Sequence, residues 1–300
     1  MTTPSPAADH RKGLMLTFIG AMVITIDTPV LRLIDGPQWL VLFWRTGLLS
    51  LTVLCWWLLM KALKRSPAPL LNGQSGLAII LLYAIGNVTF ITAIFNTAVA
   101  NVVFILALTP LFAALMSFVW FREKLRAPTW AAFSVALLGV AIIVGADINS
   151  GSTFGNLMAA ATATTLSLAF TITRRTGRDM SMSPVIVGAL TATAACIGSA
   201  LFADQGIIDG TLALTSRQWG WLLLNGMVIM PLSYSLLALG PRYITAAEVA
   251  LLLLLETALA PIWVWLAVGE TVSGSTIIGG AIILTTLIIH SIYKLRLRRG

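Results

Sequence analysis

The sequence predicts an all-α integral membrane protein in which ten transmembrane helices form two inverted five-helix repeats around a central cavity. Three observations indicate this fold class. The 300 residues are 58% hydrophobic and 10% charged, whereas a soluble domain has about 25% charged residues. Ten apolar stretches each approach the ~20 residues that cross a bilayer. The two sets of five stretches carry corresponding features that should face opposite sides of the membrane.

The apolar stretches are expected to be helices, because they are continuous and longer than the ~10-residue alternating segments of membrane β-barrels. Short connections rich in Gly, Pro, Asn and Ser separate them, and no soluble domain fits between them. The predicted spans cover residues 13–34, 38–60, 75–96, 98–120, 127–146, 153–174, 184–203, 217–239, 243–267 and 273–293.

These spans group into two predicted units with polar ends. The expected order is a cytoplasmic tail at 1–12, a first repeat at 13–146, an external linker at 147–152, a second repeat at 153–293 and a basic cytoplasmic tail at 294–300. The first apolar run lacks a signal-peptide cleavage site, so we expect it to remain as a span.

Positive charge predicts the orientation. Nearly all Lys and Arg residues fall on one side of the predicted spans; Arg32 and Arg217 fall on the other, and Arg45 lies within a span. Loops rich in Lys and Arg face the cytoplasm, so both termini are predicted to be cytoplasmic. The net charge of +8 reflects this topology, and we expect no nucleic-acid partner, because that would need clustered cations on a soluble scaffold.

Two glutamates mark the predicted repeat. Glu123, in SFVWFREKL, and Glu270, in WLAVGETV, each follow a long apolar run and lie about half the chain apart. Glu123 is surrounded by Arg and Lys, whereas Glu270 is not. Five spans per unit place equivalent positions on opposite sides of the membrane. Inverted repeats of this kind are the architecture of alternating-access transporters.

The segment TPLFAALMSFVWFREKLRAPTWAAFSVALLGVAIIV, Thr109–Val144, resembles the fourth and fifth helices of the EamA family of the drug/metabolite transporter superfamily. The features that match are a proline in an apolar helix, the glutamate that closes this helix and the pair Gly139-Val140 in the next. The second span is similar to the family's second helix, where an arginine follows aromatic residues, here Phe43-Trp44-Arg45.

The second half is also similar to this family. Leu255–Ile289 resembles the last two helices, with Glu270 and Gly279-Gly280 in matching places. It departs from the pattern in having a threonine, Thr257, opposite the proline of the first half, with the proline displaced to Pro261.

The resemblance implies a secondary transporter that exports amino acids, including aromatic ones, and related small metabolites across a bacterial inner membrane by alternating access. One alternative is a nucleotide-sugar or sugar-phosphate carrier of the same superfamily, which would need several cavity cations where Arg45 alone lies firmly within a span. A non-transporting scaffold or a membrane enzyme is less favoured. The expected partners are a small-molecule substrate and the lipid bilayer, and the oligomeric state stays open, a monomer included.

We expect neither enzymatic activity nor a cofactor or metal. The chain contains no P-loop, H-E-x-x-H or G-x-S-x-G motif, and its two histidines, His10 and His290, lack partners for a cluster. Cys55 and Cys196 fall within apolar runs, so we expect both to be buried as small apolar side chains rather than joined in a disulfide.

Three ionisable residues are predicted to supply cavity charge or coupling. A charge at the bilayer centre costs about 2.5–3.5 kcal/mol on insertion scales, so it needs a partner or a cavity. Asp27 and Arg45 lie at equal depth in neighbouring spans and can pair, either to fix the two helices or to face substrate. Pro29 is expected to kink the first span. Glu256, near the middle of the ninth span, is either a proton-coupling group or a neutral hydrogen-bonded carboxyl.

Polar residues at mid-membrane predict where substrate binds. Tyr83 and Asn87 are four apart and therefore share a helical face, which Phe90 continues. Tyr234 occupies the position in the second repeat that corresponds to Asn87. Interhelical hydrogen bonding is the alternative role for such groups. The predicted substrate-binding residues are Tyr83, Asn87, Phe90, Asn101, Ser233 and Tyr234.

Overall fold

A computed structural model describes residues 6–121, 127–146, 152–176, 179–203, 206–239 and 246–299. Every regular element in these ranges is a helix, and no strand occurs among them. Glu123 lies outside the described residues, as does nearly all of the predicted external linker. By length and composition, eight of the described helices can cross a membrane, and Leu252–Val268 and Gly274–His290 are shorter apolar helices. The predicted ten-helix membrane fold is confirmed.

The first five spans form one unit. The first span consists of two helices, Pro6–Ile24 and Asp27–Ile34, and the fourth is likewise divided, into Val99–Leu106 and Thr109–Phe121. The continuous second, third and fifth spans are Gln38–Ala62, Gly73–Asn96 and Ala127–Ala146.

The last five spans form the second unit. The sixth, seventh, ninth and tenth spans are Thr153–Thr176, Pro184–Phe202, Ala246–Val268 and Gly274–Arg299. The eighth span begins as the helix Ser216–Leu223, passes through the π-helical segment Leu224–Ile229 and continues as Met230–Leu239. A short helix that the sequence did not predict, Ile207–Leu212, precedes the eighth span.

Proline accounts for the two divided spans. Pro29 is the third residue of Asp27–Ile34, and Pro110 is the second residue of Thr109–Phe121. Proline lacks an N–H and its ring clashes with the carbonyl one turn earlier, so each helix breaks just before its proline. The kink predicted at Pro29 is therefore present, and the break leaves Asp27 as the first residue of a half-helix in the interior.

The spans pack as two related halves. The third span packs on the sixth as the eighth packs on the first, and the fourth packs on the sixth as the ninth packs on the first. The second span packs on the seventh, the fourth on the ninth and the fifth on the tenth. This set of contacts maps onto itself when the first repeat is exchanged with the second, as a two-fold relation between the repeats requires.

Glycines allow the fifth and tenth spans to approach closely. A Cβ atom on Gly139 would lie 2.8 Å from the carbonyl oxygen of Gly279, and one on Gly279 would lie 2.5 Å from that of Gly139. Small residues at a crossing let membrane helices pack backbone against backbone. These are the glycines on which part of the family resemblance rests.

The expectation that the two cysteines are buried was wrong. Cys55 and Cys196 are free thiols with exposed side chains on the outside of the bundle. In a membrane protein an apolar side chain gains little by facing the interior, because the surrounding lipid is as apolar as the core. An apolar run therefore does not show which of its residues face inward.

Candidate functional site

A buried ion pair lies where the first and second spans meet. The Arg45 guanidinium donates from Nη2 to Asp27 Oδ2 at 2.6 Å, and both residues are only 2% exposed. Arg45 also donates from Nε to Met230 Sδ at 2.9 Å, and its guanidinium carbon lies 5.4 Å from the centre of the Phe90 ring. The two charges predicted to lie at equal depth are thus directly bonded.

The sequence did not predict that Asn225 joins this pair. Asn225 is fully buried in the π-helical segment and donates from Nδ2 to Asp27 Oδ1 at 2.7 Å. Its neighbour Gly226 allows the eighth span to approach the second, since a Cβ there would lie 3.0 Å from the Arg45 carbonyl oxygen. The available signal in the sequence was an asparagine beside a glycine within an apolar run. The π-helical segment that holds both residues is a structural indication, since π-bulges often occur at functional sites.

Three buried polar atoms on Arg45, Asn225 and the residue after Asp27 have no hydrogen-bond partner among the described residues: Arg45 Nη1, Asn225 Oδ1 and Thr28 Oγ1. Asp27, in contrast, uses both carboxylate oxygens, one on Arg45 and one on Asn225. We call Asp27, Thr28, Arg45 and Asn225 the buried polar cluster. It combines residues of the first repeat with one of the second.

Two residues with predicted site roles, Tyr234 and Glu256, lie near this cluster, and Tyr83 lies near Tyr234. Tyr234 is within electrostatic range of Asp27, Arg45 and Glu256, and Tyr83 is within range of Tyr234. The two tyrosines come from the third and eighth spans, which occupy corresponding places in the two repeats.

The other residues of the predicted site differ in their surroundings. Ser233 is fully buried and donates to the Met230 carbonyl oxygen at 3.2 Å. Tyr83 packs edge-on against Phe170, with ring centres 6.2 Å apart. Asn87 is half-buried on the third span, one turn from Tyr83.

Asn101 belongs to a different polar network. Its Oδ1 accepts from Thr276 Oγ1 at 2.7 Å, and its Nδ2 donates to Thr97 Oγ1 at 3.1 Å. Thr97 Oγ1 in turn donates to Asn156 Oδ1 at 2.9 Å. The network joins the fourth, sixth and tenth spans, and no hydrogen bond links it to the buried polar cluster within the described part of the chain. Asn101 therefore makes interhelical hydrogen bonds, which the sequence analysis gave as the alternative to a role in substrate binding.

Glu270 follows the ninth span and links it to the first and fourth spans. Its Oε1 accepts from the backbone N–H of Val99 at 2.8 Å, and its Oε2 pairs with Arg32 Nε at 3.1 Å. Arg32 also donates from Nη2 to the Thr97 carbonyl oxygen at 2.8 Å. The carboxylate therefore satisfies the N-terminus of the half-helix Val99–Leu106, where a negative charge is favourable. We call Arg32, Thr97, Val99 and Glu270 the Glu270 clasp.

Together, the fold and these two groups of residues define a class of protein. Ten spans in two inverted repeats, with helices interrupted beside buried charge, are the arrangement of secondary transporters, whose broken helices carry the ligand site.

The EamA-like transporter family matches this chain twice, over residues 11–145 and 153–292. The chain therefore belongs to the EamA-like transporter family, and it is a multi-pass membrane transporter of the drug/metabolite type. The family's members are transporters, which agrees with the expectation that this chain is not an enzyme.

Solved structures support the fold alone. A crystal structure described only as that of a protein has a TM-score of 0.65 and 16% sequence identity to this chain, covering 94% of this chain and 98% of the other. No curated protein sequence matched the chain.

Proposed function

We propose that this protein exports amino acids, including aromatic ones, and related small metabolites across a bacterial inner membrane by alternating access. The observation that carries the proposal is the buried polar cluster, in which a bonded Asp27–Arg45 pair has spare hydrogen-bonding groups beside it. A zwitterionic amino acid has no net charge, so it can join a neutral pair without adding uncompensated charge to a low-dielectric interior.

The same charge balance disfavours a sugar-phosphate or nucleotide-sugar substrate. Phosphate groups would bring additional negative charge, and charge-assisted contacts to phosphate call for several Arg or Lys side chains. Among the Lys and Arg residues whose side-chain burial the structure describes, Arg45 is the buried one, and it is already paired with Asp27.

The residues around the cluster have proposed roles. Tyr83, Asn87, Ser233 and Tyr234 would offer hydrogen bonds to the substrate, and Phe90 an apolar surface for its side chain. Asn101, bonded in its own network, would contribute to binding through the position of the fourth span. Glu256 would be the proton-coupling group, since it lies within electrostatic range of Asp27 and Arg45, where gain or loss of its proton would change the charge felt by the cluster.

The proposed orientation follows from positive charge. Both tails, residues 1–12 and 294–300, would be cytoplasmic, and the 147–152 linker external. In that orientation the Glu270 clasp lies at the external end, which supports a cycle in which that end opens and closes. We propose no partner chain beyond substrate and lipid, and a monomer would suffice.

Uptake by the purified protein in liposomes tests the function. The panel comprises L-phenylalanine, two non-aromatic amino acids and one nucleotide sugar. We expect saturable flux of amino acids and none of the nucleotide sugar above that of protein-free liposomes. Saturable flux of the nucleotide sugar alone, or of no compound, would contradict the proposal.

Proton coupling is tested in the same liposomes with and without an imposed pH gradient. We expect the gradient to change amino-acid flux in the wild type and to have no effect on Glu256→Gln, which cannot exchange a proton. If the gradient affects both proteins alike, Glu256 is not the coupling group.

A further inference from the structure

We propose that the buried polar cluster recognises the main-chain groups of an amino acid: Arg45 Nη1 and Thr28 Oγ1 hold the α-carboxylate, and Asn225 Oδ1 accepts from the α-ammonium group. This inference rests on the proposed amino-acid substrate. It adds Thr28 and Asn225 to the site and assigns the atom of Arg45 that contacts the ligand.

The buried polar cluster lacks hydrogen-bond partners that a ligand would supply. A buried donor or acceptor without a partner is destabilising, and native proteins leave few of them unexplained. Three such atoms lie on side chains that are at most 2% exposed: two on residues bonded to Asp27 and the third on Thr28, the residue that follows it. A ligand that supplied the missing partners would remove this destabilisation, less the cost of desolvating its own polar groups.

Asp27 holds two of the groups that lack a partner. The two oxygens of Asp27 are bonded to Arg45 Nη2 at 2.6 Å and to Asn225 Nδ2 at 2.7 Å. The carboxylate therefore holds a guanidinium and an amide side by side. Arg45 Nη1 and Asn225 Oδ1 have no partner among the described residues, so one donor and one acceptor remain on the two groups that Asp27 holds.

The groups without partners are chemically complementary to the main-chain groups of an amino acid. A guanidinium nitrogen and a hydroxyl are donors suited to a carboxylate, and an amide oxygen is an acceptor suited to an ammonium group. Thr28 is the second residue of the half-helix Asp27–Ile34, whose N-terminus also favours a negative charge. The cluster thus offers the counterpart of both charged groups of an amino acid and nothing specific to its side chain. Such a site would accept amino acids with different side chains.

Wild-type binding provides the first test. Equilibrium binding to the purified protein is measured for L-phenylalanine, for 3-phenylpropanoate, which lacks the ammonium group, and for 2-phenylethylamine, which lacks the carboxylate. A hydrogen bond to a charged group contributes about 1.5–3 kcal/mol, so we expect each analogue to bind about tenfold or more weakly than L-phenylalanine. Equal affinity for all three ligands overturns the inference.

Two variants assign the groups. Asn225→Leu should weaken L-phenylalanine and 2-phenylethylamine but leave 3-phenylpropanoate unchanged, because that analogue has no ammonium group to lose. Thr28→Val should weaken L-phenylalanine and 3-phenylpropanoate but leave 2-phenylethylamine unchanged. A variant that only loosened the fold would weaken all three ligands by the same factor, and that result overturns the assignment.

Thr191→Val is the matched control. Thr191 is also fully buried, but its hydroxyl already has a partner, because it donates to the Val187 carbonyl oxygen one turn earlier in the same helix at 2.8 Å. It should leave all three affinities unchanged. If a cluster variant does not fold, the wild-type ligand series still decides, since it needs no substitution.

The outcomes separate this inference from the proposed function. Amino-acid flux in liposomes combined with equal affinity for the three ligands would overturn the main-chain assignment and leave the amino-acid function standing. No saturable binding of L-phenylalanine, together with no amino-acid flux, would overturn both. If ordered water alone occupied the three atoms, the three ligands would bind with equal affinity, which is the result that overturns the main-chain assignment.

Discussion

At the scale of single residues, the Asp27–Arg45 pair is a better indicator of function than of stability. Removing two charges from water costs several kcal/mol per ion, and well-packed apolar residues often replace a buried pair without loss of stability. Two apolar side chains could therefore hold the first and second spans together equally well. A charged pair at this place, with unpartnered groups around it, points to recognition of a polar ligand.

If the Asp27–Arg45 pair serves recognition rather than stability, replacing one member and replacing both should have different effects. Asp27→Leu should lower the free energy of unfolding by about 3–5 kcal/mol, because it leaves the buried Arg45 charge uncompensated. Adding Arg45→Met removes that charge, so the double variant should regain most of the loss. Thermal unfolding of the detergent-solubilised proteins measures both effects.

Transport should not return with stability. The double variant keeps the helices packed but lacks the guanidinium, so we expect amino-acid flux in liposomes to stay at the level of protein-free controls. A double variant that is stable and transports normally would mean that the pair only fixes the two helices.

At the scale of elements, broken helices bring backbone ends into the interior of the molecule. Pro29 and Pro110 each end a helical run about one turn earlier, as expected for proline. One half-helix begins at Asp27 in the buried polar cluster, whereas Val99, in the Glu270 clasp, is the start of the fourth span itself. The clasp thus uses a helix N-terminus as the partner of a carboxylate from a distant span.

Breaking the clasp should open its end of the molecule. Glu270→Ala removes both the Arg32 ion pair and the acceptor for the Val99 N–H, and a lost helix cap costs about 0.5–2 kcal/mol. One or two kcal/mol changes a population about 5- to 30-fold. A thiol at Val30→Cys, buried between Asp27 and Arg32, should react with a water-soluble reagent faster by that order, in a background with Cys55 and Cys196 replaced by serine.

Glu270→Gln is the matched variant for this experiment. Its amide oxygen can still accept from the Val99 N–H while the charge that pairs with Arg32 is lost, so the labelling rate should rise less than with Glu270→Ala. If neither variant changes the rate, the clasp does not control access to this part of the protein.

At the scale of the whole molecule, the interhelical contacts are those of two exchangeable halves. The third and eighth spans contribute Tyr83 and Tyr234, which lie within electrostatic range of each other, and the buried polar cluster also combines both repeats. A site built from two oppositely threaded units can be exposed to each side in turn when one unit tilts against the other.

Inverted threading makes a prediction about sides. Reporter fusions after Glu123 and at the C-terminus should indicate the cytoplasm, whereas a fusion after Glu270 should indicate the external side. The physical reason is that five spans separate the two glutamates, and Lys and Arg accumulate around Glu123. Glu123 and Glu270 on the same side would contradict the inverted repeat and remove the main support for alternating access.

Part of the site could be predicted from the sequence, because the depth of a residue in the membrane follows from its position along a single helix. Asp27 and Arg45 lie at similar distances from one end of adjacent spans, which was enough to predict their pairing. The sequence offered no comparable rule for Asn225, which reaches Asp27 through a π-helical segment and a glycine contact. Nor could it show that Glu270 pairs with Arg32 and Val99, from spans far away in the chain.

By itself, the sequence determined the membrane class, the ten spans, the repeat and the position of a proline break, because lipid imposes length and hydrophobicity on each helix separately. Only the tertiary structure decided which helix faces meet, and so which polar groups are paired, which remain unpartnered and which cysteines face outward. Lipid is as apolar as the protein interior, so inward and outward faces carry no distinct pattern until the helices pack against one another.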